Sequence, residues 1–120
     1  MWLNKRLASF KYAFKGLLIL VQTQPNFIIH LVIATIAIGV AFWLQLTIVE
    51  WSVLIFTITL VLFAEAANSA LEFLTDLISP DYHPFAGKAK DVAAAAVLIT
   101  AIGAVIIGLI LFIPKLLEKI

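Results

Sequence analysis

The chain has 120 residues, 64% of them hydrophobic and 12% charged, with a net charge of +1 and no cysteine. Soluble domains carry roughly 45–50% apolar residues, so a chain this short and this apolar cannot hide its surface from water. The near-neutral balance gives no basic stripe for nucleic acid, and without cysteine there are neither disulfides nor thiolate metal sites, which leaves oxygen ligands or His30 and His83 for any metal.

At the N-terminus, Leu3, Leu7, Phe10, Phe14, Leu17 and Val21 recur at steps of three and four, and Lys5, Arg6, Lys11 and Lys15 lie among them. The spread of apolar residues at helical intervals, with no single h-region, argues against a cleaved signal peptide. It predicts instead an amphipathic helix over residues 1–24 that lies in the headgroup plane, its cations facing anionic lipid. Gln24-Pro25 breaks the pattern, because the residue before a proline is pushed out of the α region. From Phe27 to Leu46 the chain then runs FIIHLVIATIAIGVAFWLQL without a formal charge if His30 is neutral. About twenty such residues suffice to cross a bilayer, so 27–46 is read as the first membrane helix.

Residues 51–78 are helical in pattern throughout, and at about 1.5 Å per residue they would reach roughly 42 Å, beyond a hydrocarbon core of about 30 Å. The second half of this helix must therefore emerge on one side. The last apolar run, 92–113, is expected to end at Pro114, where a helix interior would be broken. The expected fold is thus an all-α membrane protein with one domain over 1–120: a surface helix at 1–24 and three membrane helices at 27–46, 51–78 and 92–113. Lys5, Arg6, Lys11, Lys15, Lys88 and Lys90 fall on one side of these spans, and Lys115 and Lys119 on the other. The positive-inside rule puts the first group, and the N-terminus, in the cytoplasm.

Against this apolar background the polar residues cluster. Glu65, Asn68, Glu72 and Asp76 are spaced by three, four and four, which returns them to one helix face, with Ser69 at its border. Ionisable groups at membrane depth are costly, so this stripe is read as functional, and as facing protein or a water-filled cleft. The segment from Ser79 to Asp91 contains Pro80, Asp81, Tyr82, His83, Pro84, Gly87, Lys88 and Lys90 and is read as a loop. It brings cations to the acidic stripe at one membrane level. Phosphoryl transfer fits such a set: a carboxylate holds a divalent metal, another takes the proton of an attacking hydroxyl, and a lysine holds phosphate oxygens. Neither a Walker loop nor a protein-kinase glycine loop is present. Structural alternatives stand beside these readings: Lys88 and Lys90 as positive-inside anchors, Asp91 as an N-cap or first-turn acid of the last helix, Asp76 as an exposed charge on a protruding helix. His30, one turn inside the first span, reads as a hydrogen-bonded interfacial residue more than a metal ligand.

The segment Glu65-Ala-Ala-Asn68-Ser69-Ala70-Leu71-Glu72-Phe-Leu-Thr-Asp76 resembles the ExxN[ST]A[IL]ExxxD signature of the bacterial diacylglycerol kinase family. Tyr82-His83-Pro84 and Lys90-Asp91-Val-Ala-Ala-Ala-Ala-Val97 extend the resemblance downstream, and Phe10-Lys-Tyr12-Ala13-Phe-Lys-Gly16-Leu17 upstream. Asn26-Phe-Ile-Ile-His30 is more similar to the branch that includes the undecaprenol kinases. The resemblance implies a homotrimer in the bacterial cytoplasmic membrane, with active sites shared between subunits, that uses Mg-ATP to phosphorylate a lipid alcohol. Carried over by position, Glu65 would be the general base on the lipid hydroxyl and Glu72 a Mg2+ ligand within the ATP site. Asn68 and Lys90 would hold ATP phosphates, and Lys5, Tyr12, Asp81, Tyr82, His83 and Asp91 would line the nucleotide site. Ser9, Phe10, Ala13 and Phe14 of the surface helix, with Glu65 and Ala94, would meet the lipid. Two positions depart from the family pattern: Gln24 stands where a second metal-binding glutamate is usual, and Lys5, or Arg6 with a local shift, where an arginine is common. A competing class is a small oligomeric proton- or cation-coupled transporter with Glu65 as carrier, although the outer half of the spans offers few polar groups to continue such a route.

Overall fold

Four helices account for almost the whole chain in the computed structural model, which describes every residue from Met1 to Ile120: α1 (Trp2–Thr23), α2 (Pro25–Leu44), α3 (Ile48–Ile78) and α4 (Pro84–Lys119). Local chemistry explains where each begins. Pro25 and Pro84 occupy the first helical position of α2 and α4, where the missing N–H would have had no partner and the fixed φ is already helical. Gln24, between α1 and α2, is extended at φ −118° and ψ 94°, as a residue before proline prefers.

Between α2 and α3 the chain reverses in three residues. Gln45 adopts the left-handed conformation (φ 57°, ψ 58°), Leu46 is buried, and Thr47 caps α3. The Thr47 hydroxyl accepts the Glu50 N–H at 3.2 Å while the Glu50 carboxylate accepts the Thr47 N–H at 3.0 Å, a reciprocal capping box. The box starts α3 at Ile48, ahead of the expected Trp51, and the first span correspondingly ends at Leu44 and not Leu46.

Two expectations about the last helix are overturned. The stretch read as a loop to Asp91 is irregular only from Ser79 to His83; α4 begins at Pro84, with His83 as N-cap whose Nδ1 accepts the Phe85 N–H at 3.1 Å. Asp91 therefore lies in the third turn of α4 and cannot be its N-cap or first-turn acid. Nor does Pro114 end the helix, which continues to Lys119. The residues beyond the proline are held from outside: Lys115 Nζ lies 3.1 Å from Glu50 Oε1, and Lys119 Nζ donates to the Trp43 carbonyl at 2.9 Å and sits 5.1 Å above the Trp43 ring. Tertiary contacts of this kind offset the backbone hydrogen bond a proline forfeits.

The helices α2, α3 and α4 are each long and apolar enough to cross a membrane. At about 1.5 Å per residue α3 and α4 reach roughly 46 and 54 Å, so both overhang a core of about 30 Å. The main packing is α3 on α4, with α2 against both and α1 touching chiefly α2. A small core of Ala41, Leu46, Leu54 and Leu111, backed by Trp51, Ile58 and Phe112, pins the three long helices together near the α2–α3 turn. Only 12 of the 120 residues are buried, and Ile36, Phe56, Ile99 and Ile110 are among many large apolar side chains that point outward. Such a surface is stable only against lipid or another protein, as expected of a membrane protein.

Candidate active site

The buried face of α3 runs through Leu54, Val61, Ala64, Glu65 and Ser69, at helical steps. It is apolar until Ala64 and polar beyond it, so one continuous helix carries both the packing surface and the polar cluster. Burial along the predicted stripe is graded. Glu65 is 3% exposed and Ser69 1%; Asn68 and Glu72 are half-buried, and Asp76 is open at 61% of its side chain. The deepest member of the stripe, Glu65, is thus already enclosed within a single chain.

What closes it is His30. Its Nε2 lies 3.1 Å from Glu65 Oε1, within hydrogen-bonding reach, and bridges α2 to α3. Sequence reasoning read His30 as an interfacial hydrogen-bonding residue but not as the partner of the stripe's buried acid. The available signal was a lone imidazole in an otherwise uncharged span. Ser69 donates its hydroxyl to the Glu65 carbonyl at 3.0 Å, which satisfies a backbone group and leaves the carboxylate to His30.

One turn on, the Asn68 amide donates to Glu72 Oε1 at 3.1 Å, which orients both side chains. This leaves Asn68 Oδ1 buried without a partner. Buried acceptors are rarely left unpaired, so an orphan beside a carboxylate points to a ligand that the chain itself does not supply. Farther out, the Lys90 ammonium pairs with Asp76 Oδ1 and ties α4 to the end of α3. Both groups are substantially exposed, so the pair contributes little to stability and is free to exchange partners.

The other sequence-predicted residues stand apart from this cluster within one chain. Lys5, Ser9, Phe10, Tyr12, Ala13 and Phe14 lie on α1, and no hydrogen bond or ion pair joins α1 side chains to α3 or α4. The Ser9 hydroxyl donates to the Lys5 carbonyl at 3.1 Å, and Gln24 Nε2 to the Thr23 hydroxyl at 3.2 Å. Asp81 and Tyr82 are exposed in the α3–α4 connection, Asp91 and Ala94 on α4. His83, committed to its cap, stacks on Phe85 with ring centres 5.9 Å apart. No three His, Asp or Glu side chains converge as a ready metal cage.

A protein with three helices long and apolar enough to cross a membrane, and with a buried carboxylate, an unpaired amide oxygen, a second carboxylate and an exchangeable lysine at one end of its longest helices, has the parts of a membrane phosphotransferase. Residues 11–112 match the family model described as prokaryotic diacylglycerol kinase, and the chain belongs to that family. It is 38% identical over 114 residues to the undecaprenol kinase of Bacillus subtilis (strain 168), covering 95% of this chain and 93% of that protein. It is 44% identical over 113 residues to a diacylglycerol kinase of Synechocystis sp., covering 93% of this chain and 65% of the longer relative. With the diacylglycerol kinase of Escherichia coli (strain K12) it shares 38% identity over 100 residues, 83% of this chain and 82% of that one. The chain is therefore a lipid kinase. The transporter reading finds no support in relatives that are named kinases; beyond His30, the space between α2, α3 and α4 is an apolar cavity of about 340 Å³ in which Thr57 is the one other polar side chain.

Proposed function

We propose that the protein transfers the γ-phosphoryl group of Mg-ATP to a lipid alcohol of the diacylglycerol or undecaprenol type at the cytoplasmic face of a bacterial inner membrane. The observation that carries this reading is the run Glu65, Asn68, Glu72 on α3 facing Lys90 on α4, in a chain whose relatives are named kinases of those two lipids. The basic residues Lys5, Arg6, Lys11, Lys15, Lys88 and Lys90 flank the same end of the spans and support a cytoplasmic N-terminus.

In this reading Glu65 takes the proton of the lipid hydroxyl as its oxygen attacks the γ-phosphorus, and the O–P bond to ADP breaks. Lys90 leaves Asp76 for the phosphates, an exchange of one exposed ion pair for a charge-assisted contact with a multiply charged donor. The residues also fit Mg2+. Asn68 Oδ1 is an unpaired buried oxygen next to the Glu72 carboxylate, and oxygen donors few in number suit an ion that keeps water and phosphate in its shell. Glu72 would hold the ion, as the family resemblance implies, and Asn68, there expected on the phosphates, would join it through Oδ1, since its amide nitrogen is engaged on Glu72 and a free oxygen acceptor suits a cation; when bound, the ion neutralises phosphate charge. Gln24, a neutral amide, would be a weaker ligand than a glutamate.

Lys5, Tyr12, Asp81, Tyr82, His83 and Asp91 are proposed to complete the nucleotide site, and Ser9, Phe10, Ala13, Phe14 and Ala94 to meet the lipid. All of these are exposed in a single chain, as groups shared between subunits would be. A homotrimer is proposed on the same ground, together with the open glycines: a Cβ placed at Gly39, Gly103 or Gly108 would touch nothing, which leaves room for close approach by a neighbouring helix. The α1 helix is proposed to lie at the membrane surface, its apolar side chains from Leu3 to Leu17 being exposed in the isolated chain.

The test is phosphorylation of diacylglycerol and of undecaprenol by the purified protein with labelled ATP and Mg2+ in mixed micelles. Label is expected in at least one lipid and in neither without Mg2+. Failure of a correctly assembled protein to label either would overturn the acceptor class.

A further inference from the structure

We propose that His30 is the positioning residue of Glu65: its Nε2 edge holds Oε1 so that the other carboxylate oxygen alone is presented to the lipid hydroxyl. This rests on the reading of Glu65 as the general base. Observations on both side chains carry it. The Glu65 side chain is 4% exposed, so it has almost no water to solvate it, and a carboxylate in that state needs a donor on the protein. The side-chain donors on the same face are engaged elsewhere, the Asn68 amide on Glu72 and the Ser69 hydroxyl on the Glu65 backbone carbonyl. His30 Nε2, at 3.1 Å, is the group that remains.

The imidazole, for its part, has no competing partner on its other side. It lines the apolar cavity between α2, α3 and α4, where the Thr57 hydroxyl is already spent on the Val53 carbonyl at 2.7 Å. Its position is also fixed from below. Phe27, one turn earlier on α2, is 4% exposed, and the helix starts at the rigid Gln24-Pro25 junction. A ring anchored on one helix that grips a base on the next reproduces the general arrangement in which a catalytic group is oriented by a third residue. It acts through Glu65 and does not itself meet the reacting atoms.

Full-length protein carrying His30→Leu, His30→Gln or His30→Asn, with Glu65→Gln as reference, tests the assignment in mixed micelles at saturating Mg-ATP and lipid. Gln places an amide nitrogen near the position of Nε2, Asn falls short of it, and Leu fills the space without a donor. His30→Leu is expected to lower kcat by about 100-fold, in the range of lost acid–base positioning, with KM for ATP changed by no more than about twofold. His30→Gln should recover kcat to within about tenfold of the parent, and His30→Asn should resemble Leu. Parental kcat in His30→Leu, or equal kcat in the Gln and Asn variants, would overturn the proposal; the second comparison stands even if the Leu variant fails to assemble, because both residues are polar. A fully active Glu65→Gln would remove the base itself, whereas an inactive Glu65→Gln beside a fully active His30→Leu would remove only the role of His30.

Discussion

Lysine–carboxylate pairs join α3 to α4 at both ends, and they are built differently. At the α2–α3 turn, Glu50 accepts from the Thr47 N–H and from Lys115, Thr47 accepts in return, and Lys119 closes on the Trp43 carbonyl and ring. Charges at that end meet partners several times over, and a small apolar core sits behind them. At the opposite end Asp76 and Lys90 pair in the open, Asn68 keeps an unpaired oxygen, and Glu65 is buried with a single imidazole for company. The first cluster is a clamp with its valences filled; the second leaves valences for a ligand, which is how a binding site differs from a structural ion pair of the same composition.

That contrast predicts variants whose effects separate activity from stability. The largest effect is expected for Glu65→Gln, which keeps the shape and removes the base: kcat should fall by about 10²–10⁴-fold with the oligomer intact. Near-parental turnover would turn the buried carboxylate into a structural group and break the comparison. Lys90→Ala should raise KM for ATP by roughly tenfold or more, the order of one charge-assisted contact, and leave KM for lipid nearly unchanged. Loss of its exposed partner should cost Asp76 little, so the melting temperature should barely move. Asn68→Ala removes the orphan oxygen and frees Glu72. It should raise the Mg2+ concentration for half-maximal rate by several-fold, while an unchanged Mg2+ dependence would assign Oδ1 to something other than the ion.

The spans and the polar stripe were legible because both are periodic within one helix. Apolar runs of membrane length and the spacing of Glu65, Asn68, Glu72 and Asp76 need no tertiary information. The helix ends were less legible. Residues 84–91 look like a loop by composition, yet Pro84 at a helix start and His83 as a cap are compatible with helix, because a proline that would break a helix interior fits its first turn. Continuation through Pro114 was hidden because Lys115 and Lys119 find their partners, Glu50 and Trp43, on other helices. The pairing of His30 with Glu65 was hidden for the same reason, since no periodicity relates side chains on two helices. The Thr47-x-x-Glu50 box, by contrast, is a pattern local to the chain, and it sets the start of α3 at Ile48, ahead of the apolar run that begins at Trp51.

The smallest effect expected is at the clamp, and it sharpens the comparison most directly. Thr47→Ala deletes the hydroxyl that accepts the Glu50 N–H and so opens one half of the capping box, a change that costs about 0.5–2 kcal/mol in other helices. Glu50 would still accept from the Thr47-position N–H and from Lys115, because neither contact uses the hydroxyl. The melting temperature should therefore fall by a few degrees while kcat and both KM values stay near parental, since the turn lies at the far end of α3 from Glu65. Adding Lys115→Ala should lower stability further, and by less than the sum of the two single changes if the clamp acts as one network, because either change alone already forfeits the shared interaction. A drop in kcat comparable to that of Lys90→Ala would mean that the far end of α3 sets the geometry of the polar end, and the division between a closed structural cluster and an open reactive one would have to be given up.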